Sequence, residues 1–70
     1  MLFDVFGKKM QAVRTDNAWS LFWISPEGKR RRVDDVIVPS SLSEEELPGY
    51  LDDLYHEYAT NTHPSVLRIH

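Results

Sequence analysis

The 70-residue chain contains no cysteine. Disulfides and thiolate metal sites are therefore excluded as staples, and packing or self-association must supply the stability. That lack also fits a reducing compartment. Glycine is scarce: Gly7, Gly28 and Gly49 stand alone, so no glycine-rich loop exists to cradle a phosphate. No apolar run approaches the roughly 18 residues that a transmembrane helix needs. At the N-terminus, Lys8 and Lys9 follow a short apolar run interrupted by Asp4, the wrong order and length for a signal peptide. These absences lead to the expectation of a cytoplasmic protein. A chain of this length buries only about 60% of the surface it exposes unfolded, which leaves its core little margin.

Charge is unevenly spread. Residues 1–35 carry seven Lys/Arg against five Asp/Glu, and residues 36–70 carry one against six. Such a split orients a partner or a second copy through complementary fields that weaken as salt rises. A mildly basic sheet followed by a solvated acidic helix face accounts for it equally well.

Three alternating segments open the chain, Leu2 to Phe6, Lys9 to Thr15 and Ala18 to Ile24, each bounded by turn residues. They read as an antiparallel meander. With Gly7-Lys8 as a two-residue turn, Val5 faces Met10, Phe3 faces Ala12 and Asp4 faces Gln11. A three-residue first loop is the alternative. With Asp16-Asn17 as the second turn, Met10 faces Trp23, Ala12 faces Leu21 and Arg14 faces Trp19. Both turns put Phe3, Val5, Met10, Ala12, Leu21, Trp19 and Trp23 on one face, and a one-residue slip would invert a strand. The other face holds Leu2, Phe6, Val13, Phe22 and Ile24 among Asp4, Lys9, Gln11 and Ser20. One helix cannot cover both faces. Either later segments wrap the second side or it is an interaction surface.

Ser25-Pro26-Glu27-Gly28 is turn chemistry, and a third hairpin would return through Lys29 to Val33. Asp34-Asp35 breaks or bulges that strand before Val36-Ile37-Val38, and Pro39 ends it; residues 30–38 are thus a candidate fourth strand. Ser43 and Glu46 form a capping box, with Leu42 and Leu47 as its hydrophobic staple. Behind this cap, Leu47, Tyr50, Leu51, Leu54, Tyr55 and Tyr58 recur at helical spacing. Pro48 disfavours a helical Leu47, so within about 43–59 a distinct first turn precedes a regular helix from about Pro48 to Tyr58 or Ala59. The closing segment Ser65 to His70 is an edge strand, a cover for the second sheet face or a frayed tail. The expected fold is α+β: one domain over 1–70, a three- or four-stranded antiparallel meander with one C-terminal amphipathic helix packed on one face.

Few residues suggest chemistry. Lys29, Arg30, Arg31 and Arg32 could contact successive phosphates, with Trp19, Phe22 and Trp23 near in sequence for base stacking and Lys8, Lys9 and Arg14 as further cations. A pI of about 5.4 lacks the footprint of a nucleic-acid binder. An acidic partner protein would use the same cations, and basic residues also guard an edge strand. Asp52, Asp53, His56 and Glu57 share a helix face, and Asp52 with His56 is an i, i+4 pair. Zinc catalysis needs three protein ligands and an open position, and Thr60 stands where the zinc-protease helix motif requires a second histidine. His63 and His70 lie in polar or terminal segments. Ser40, Ser41 and Ser43 read as turn and cap residues, since no motif supplies the base and oxyanion donor that a serine nucleophile needs. No catalytic residue, cofactor or metal site is assigned.

Phe3-Asp4-Val5-Phe6-Gly7, Gly28-Lys29-Arg30-Arg31, Val36-Ile37-Val38-Pro39 and Tyr50-Leu51-Asp52-Asp53-Leu54-Tyr55-His56-Glu57 together resemble a family of small bacterial proteins of unknown function, over nearly the whole chain. The resemblance implies a bacterial single-domain protein whose strands precede one C-terminal helix, and it implies no activity or cofactor. The expected function is a non-catalytic interaction module that self-associates through Leu2, Phe6, Val13, Phe22 and Ile24, or through an edge strand. Weak nucleic-acid binding at Lys29 to Arg32 is the alternative, and a metal site on the acidic helix face is the third.

Overall fold

A computed structural model describes residues 1–69; His70 lies outside the described residues. Strands β1 (Leu2–Val5), β2 (Lys8–Thr15), β3 (Ala18–Ile24) and β4 (Arg30–Arg32) form the meander. Helix α1 spans Leu47–Tyr55, and β5 spans Val66–Arg68. The order across the sheet is β4-β3-β2-β1-β5. The fold is α+β as expected, with five strands rather than three or four.

The second hairpin has the expected register: Met10 pairs with Trp23, Ala12 with Leu21 and Arg14 with Trp19. Its turn residues, Asp16 and Asn17, both take positive φ, as a two-residue type I′ hairpin requires. The first hairpin corrects the expectation. Its turn is Phe6-Gly7, both at positive φ, so β1 ends at Val5 and pairs Phe3 with Met10, Asp4 with Lys9 and Val5 with Lys8. The Asp4 carboxylate closes this turn by accepting the Gly7 N–H at 2.6 Å. Because the shift is two residues, each side chain keeps its face. Phe6 alone changes sides. Its ring is buried in the core, edge-on to His56 at 6.1 Å, and burial offsets the cost of a left-handed aromatic residue.

The fourth strand stops at Arg32 instead of reaching Val38. Val33 still donates to the Leu21 carbonyl at 2.9 Å, but Asp34-Asp35 then turns the chain away. The run through Val38 becomes a strap on the helix side, with Val33 and Val38 buried and Ile37 exposed. Four polar contacts hold the strap and the residues after it: Trp19 Nε1 and Arg14 both donate to the Leu42 carbonyl at 2.9 Å, Arg14 also donates to the Ser40 carbonyl at 2.7 Å, and the Tyr50 hydroxyl donates to the Ile37 carbonyl at 3.2 Å.

The helical segment is broken, but not at Leu47, which is helical (φ −57°, ψ −46°) and opens α1 despite the Pro48 that follows it. A 3₁₀ turn, Glu44–Glu46, precedes α1, and another, His56–Tyr58, follows it. The capping box forms, with the Ser43 N–H donating to Glu46 Oε1 at 3.0 Å. This hydrogen bond, followed by that of the Ser43 side chain, holds the Glu46 carboxyl below its ordinary pKa. The cap therefore contributes fully above the ordinary carboxylate range and is lost as pH falls through Glu46's lower value. Circular dichroism in acid should show that step in the native protein and not in Glu46→Gln.

Leu47 and Leu51 are fully buried with Phe3, Met10 and Val5. Leu54 and Tyr58, expected on the same stripe, are largely exposed at its rim, because α1 lies over β1 and β5 and tightens after Tyr55. Tyr55 sits edge-on to Trp23 at 5.3 Å. Its buried hydroxyl has no partner among the described residues, and desolvation, then Asp35 and Tyr58, raise its pKa. Removing an unsatisfied polar atom should cost nothing, so Tyr55→Phe is expected to melt at the same temperature as the native protein or higher.

Candidate functional site: the open sheet face and its basic edge

The helix, the strap and both 3₁₀ turns lie on one side of the sheet, and among the described residues no helix covers the other. Paired residues on adjacent strands share a face, so the register fixes what that side presents. One row runs Leu2, Gln11, Phe22 and Arg32 across β1 to β4; the next runs Leu67, Asp4, Lys9, Ile24 and Arg30 across all five strands. Val13 pairs with Ser20 beside them. Ile69 extends the first row, because its N–H donates to the Leu2 carbonyl at 2.8 Å.

Of the residues expected here, Leu2, Val13, Phe22 and Ile24 lie on this face and are half-buried; Phe6 does not. Leu67 and Ile69, 59% and 48% exposed, belong to it, the closing segment having formed the edge strand that was one of its three expected roles. Their alternation with Val66 and Arg68 was the available signal, masked because both faces of so short a strand carry an apolar residue. The face is graded, apolar at β5 and cationic at β4. Arg30 lies over the Phe22 ring at 4.5 Å and donates to Gln11 Oε1 at 2.9 Å.

The basic run does not converge on one surface. Arg30 and Arg32 project onto the open face, and Arg31, paired with Trp23, onto the helix side. Arg32 meets Asp34 at 3.6 Å, with both side chains exposed, a contact worth little. Arg14 is engaged with the strap and with the Trp19 ring, and Lys8 lies over Tyr58 at 5.1 Å, so neither is a free cation beside Arg30. Trp19 is buried and Trp23 half-buried on the core side, which leaves Phe22 as the ring on the open face. On the helix, Asp52 and His56 Nδ1 meet at 2.9 Å, and among the described residues no three His, Asp or Glu side chains converge as metal ligands. No helix among the described residues is long and apolar enough to cross a membrane.

A five-stranded antiparallel sheet with a helical layer on one face and an exposed, graded second face defines a small open-faced α+β domain. The chain belongs to the family described as Domain of unknown function (DUF7661), whose model matches residues 1–70. Comparison with curated proteins and with solved structures gave no match.

Proposed function

We propose that this domain is a non-catalytic protein-interaction module of the cytoplasm that self-associates face to face through the open side of its sheet. The observation that carries the reading is the apolar set Leu2, Val13, Phe22, Ile24, Leu67 and Ile69 on a face that no helix covers among the described residues. A small domain gains most from added buried area, and a two-fold partner supplies it with the same patch. The 25 strand residues, each covering about 3.4 Å by 4.8 Å, span roughly 400 Å² in projection. That is at the small end for a specific interface, so a concentration-dependent dimer is expected. Sedimentation equilibrium tests it: the native protein should move toward a dimer as concentration rises, and Val13→Lys with Leu67→Lys should stay monomeric with an unchanged circular dichroism spectrum. A native protein that is monomeric at every concentration sinks the reading.

Arg30 stacked on Phe22, with Arg32 on the same face, favours a second reading, a weak single-strand nucleic-acid binder. Reversing charge at Arg30 and Arg32 should then abolish binding, and the native protein should lose affinity steeply as salt rises. Absence of either effect removes this reading.

A further inference from the structure

The open face is bounded by β4, an edge strand whose backbone bonding is fixed by its neighbours. Ser25 donates to the Lys29 carbonyl at 2.9 Å and Val33 to the Leu21 carbonyl at 2.9 Å, so positions 29, 31 and 33 turn their peptide groups toward β3. By the alternation of an antiparallel ladder, Arg30 and Arg32 turn theirs outward. Such an edge is a template for one more strand, and its side chains decide which strand can approach.

We propose that the outer edge of β4 is a docking site for an acidic extended segment of another protein, which adds a sixth strand to the sheet. Charge selects this occupant. All three β4 residues are exposed arginines, so an incoming strand meets Arg30 and Arg32 on the open face and Arg31 on the helix side. Asp or Glu at successive positions would face a cation on either side of the sheet. A second copy is rejected at the same edge: β4 against β4 sets arginines against arginines. The other free edge, β5, turns Arg68 outward, since Ile69 and its alternates face β1. Like charges in register oppose the pairing of β4 with β4, whereas at β5 Arg68 already meets Glu44 at 3.1 Å and the strand has no acidic side chain to offer the β4 arginines. Of the chain's own acidic residues, Glu44 to Glu46 form a 3₁₀ turn, Asp52 and Asp53 lie within α1, Asp4 is already paired on both sides within β1, and Asp34-Asp35 follow directly on β4 itself.

This site is distinct from the apolar face, and the Val13→Lys with Leu67→Lys protein should bind there as the native one does. The probe is an end-capped oligoglutamate of about six residues, the length of an ordinary strand. A companion peptide carries N-methyl groups on alternate backbone nitrogens, keeping the charge and losing the ladder donors. With isotope-labelled protein, the plain peptide should shift the Arg30 and Arg32 amide resonances and slow their hydrogen exchange. The methylated peptide should bind more than about tenfold more weakly, and Arg30→Glu with Arg32→Glu should weaken the plain peptide by a similar factor or more. Because these side chains are exposed, an unchanged spectrum of that variant verifies its fold. Equal binding of the methylated peptide would mean charge attraction without strand addition and would overturn the proposal. Tighter binding of oligothymidylate would assign the edge to nucleic acid, and no binding of any probe would leave the arginines as guards against edge pairing alone.

Discussion

Leu51→Ala is expected to lower the melting temperature by at least about 8 °C. The side chain is fully buried beneath α1 among Phe3, Met10 and Leu47. Truncating a buried leucine costs about 2 to 5 kcal/mol, part from lost transfer free energy and part from the cavity that remains. A domain of this length has a total stability of roughly 4 to 10 kcal/mol, so the substitution removes a large fraction of it. In a domain of 60 to 100 residues, each kcal/mol moves the midpoint by about 4 to 8 °C. Collapse cannot easily refill the site, because α1 is anchored at its start by the capping box and alongside by the Tyr50 hydroxyl, which donates to the Ile37 carbonyl at 3.2 Å. Leu51→Met keeps the volume and should cost less than about 1.5 kcal/mol. Leu54→Ala, three residues on at the exposed rim, should lie within about 1 kcal/mol of the native protein. Thermal melts of the three variants check the order; a Leu54 effect equal to that of Leu51 would mean that the helix is rotated from the position described.

What the sequence disclosed and what it hid divide along physical lines. The second hairpin was legible because Asp16-Asn17 is good chemistry for two residues at positive φ and strict alternation flanks it. The distinct first turn was legible because a capping box is a local signal, whereas the second break after Tyr55 has no such signal. The first hairpin was displaced by two residues because no local rule favours a phenylalanine at positive φ; Phe6 is held there by Asp4 beneath the turn and by burial against His56, a contact fifty residues away in the chain. Val36-Ile37-Val38 has the composition of a strand, yet its neighbours decide otherwise, with Arg14 and Trp19 capturing the strap through the Leu42 carbonyl. The candidate surface was legible on β2 and β3, where the register was right. Its β5 end was legible only as one of three alternatives, because a three-residue strand is specified by its distant partner β1 rather than by its own pattern.

The return of the chain to β1 depends on one backbone position, and substituting it is expected to have the second-largest effect. Gly7 has φ +92°, and a Cβ there would stand 3.0 Å from Cδ2 of His63 and 3.1 Å from its Cγ. The imidazole is held in place by its own turn: the His63 N–H donates to Thr60 Oγ1 at 3.1 Å, and the Thr60 N–H donates to the His63 carbonyl at 3.1 Å. This contact seats the segment after the second 3₁₀ turn on the first hairpin, three residues before β5 begins to run alongside β1. Gly7→Ala therefore meets two penalties, a conformation that L residues adopt poorly and a ring that must move, together about 1 to 3 kcal/mol. Gly28 separates them. It has φ +87° with nothing within 4 Å of a built Cβ, so Gly28→Ala carries the conformational cost alone and should be the milder change. Adding His63→Ala to Gly7→Ala should recover the steric part, a coupling that a double-mutant cycle measures. The same substitution reaches the candidate interface: if the His63 turn is displaced, the Ile69 N–H, bonded to the Leu2 carbonyl at 2.8 Å, should exchange faster with solvent. Leu67 and Ile69 would then be lost from the apolar face, and self-association should weaken in Gly7→Ala while Gly28→Ala dimerises as the native protein does. Equal self-association in the two variants would separate the β5 end of the face from the interface and confine it to β1 through β3.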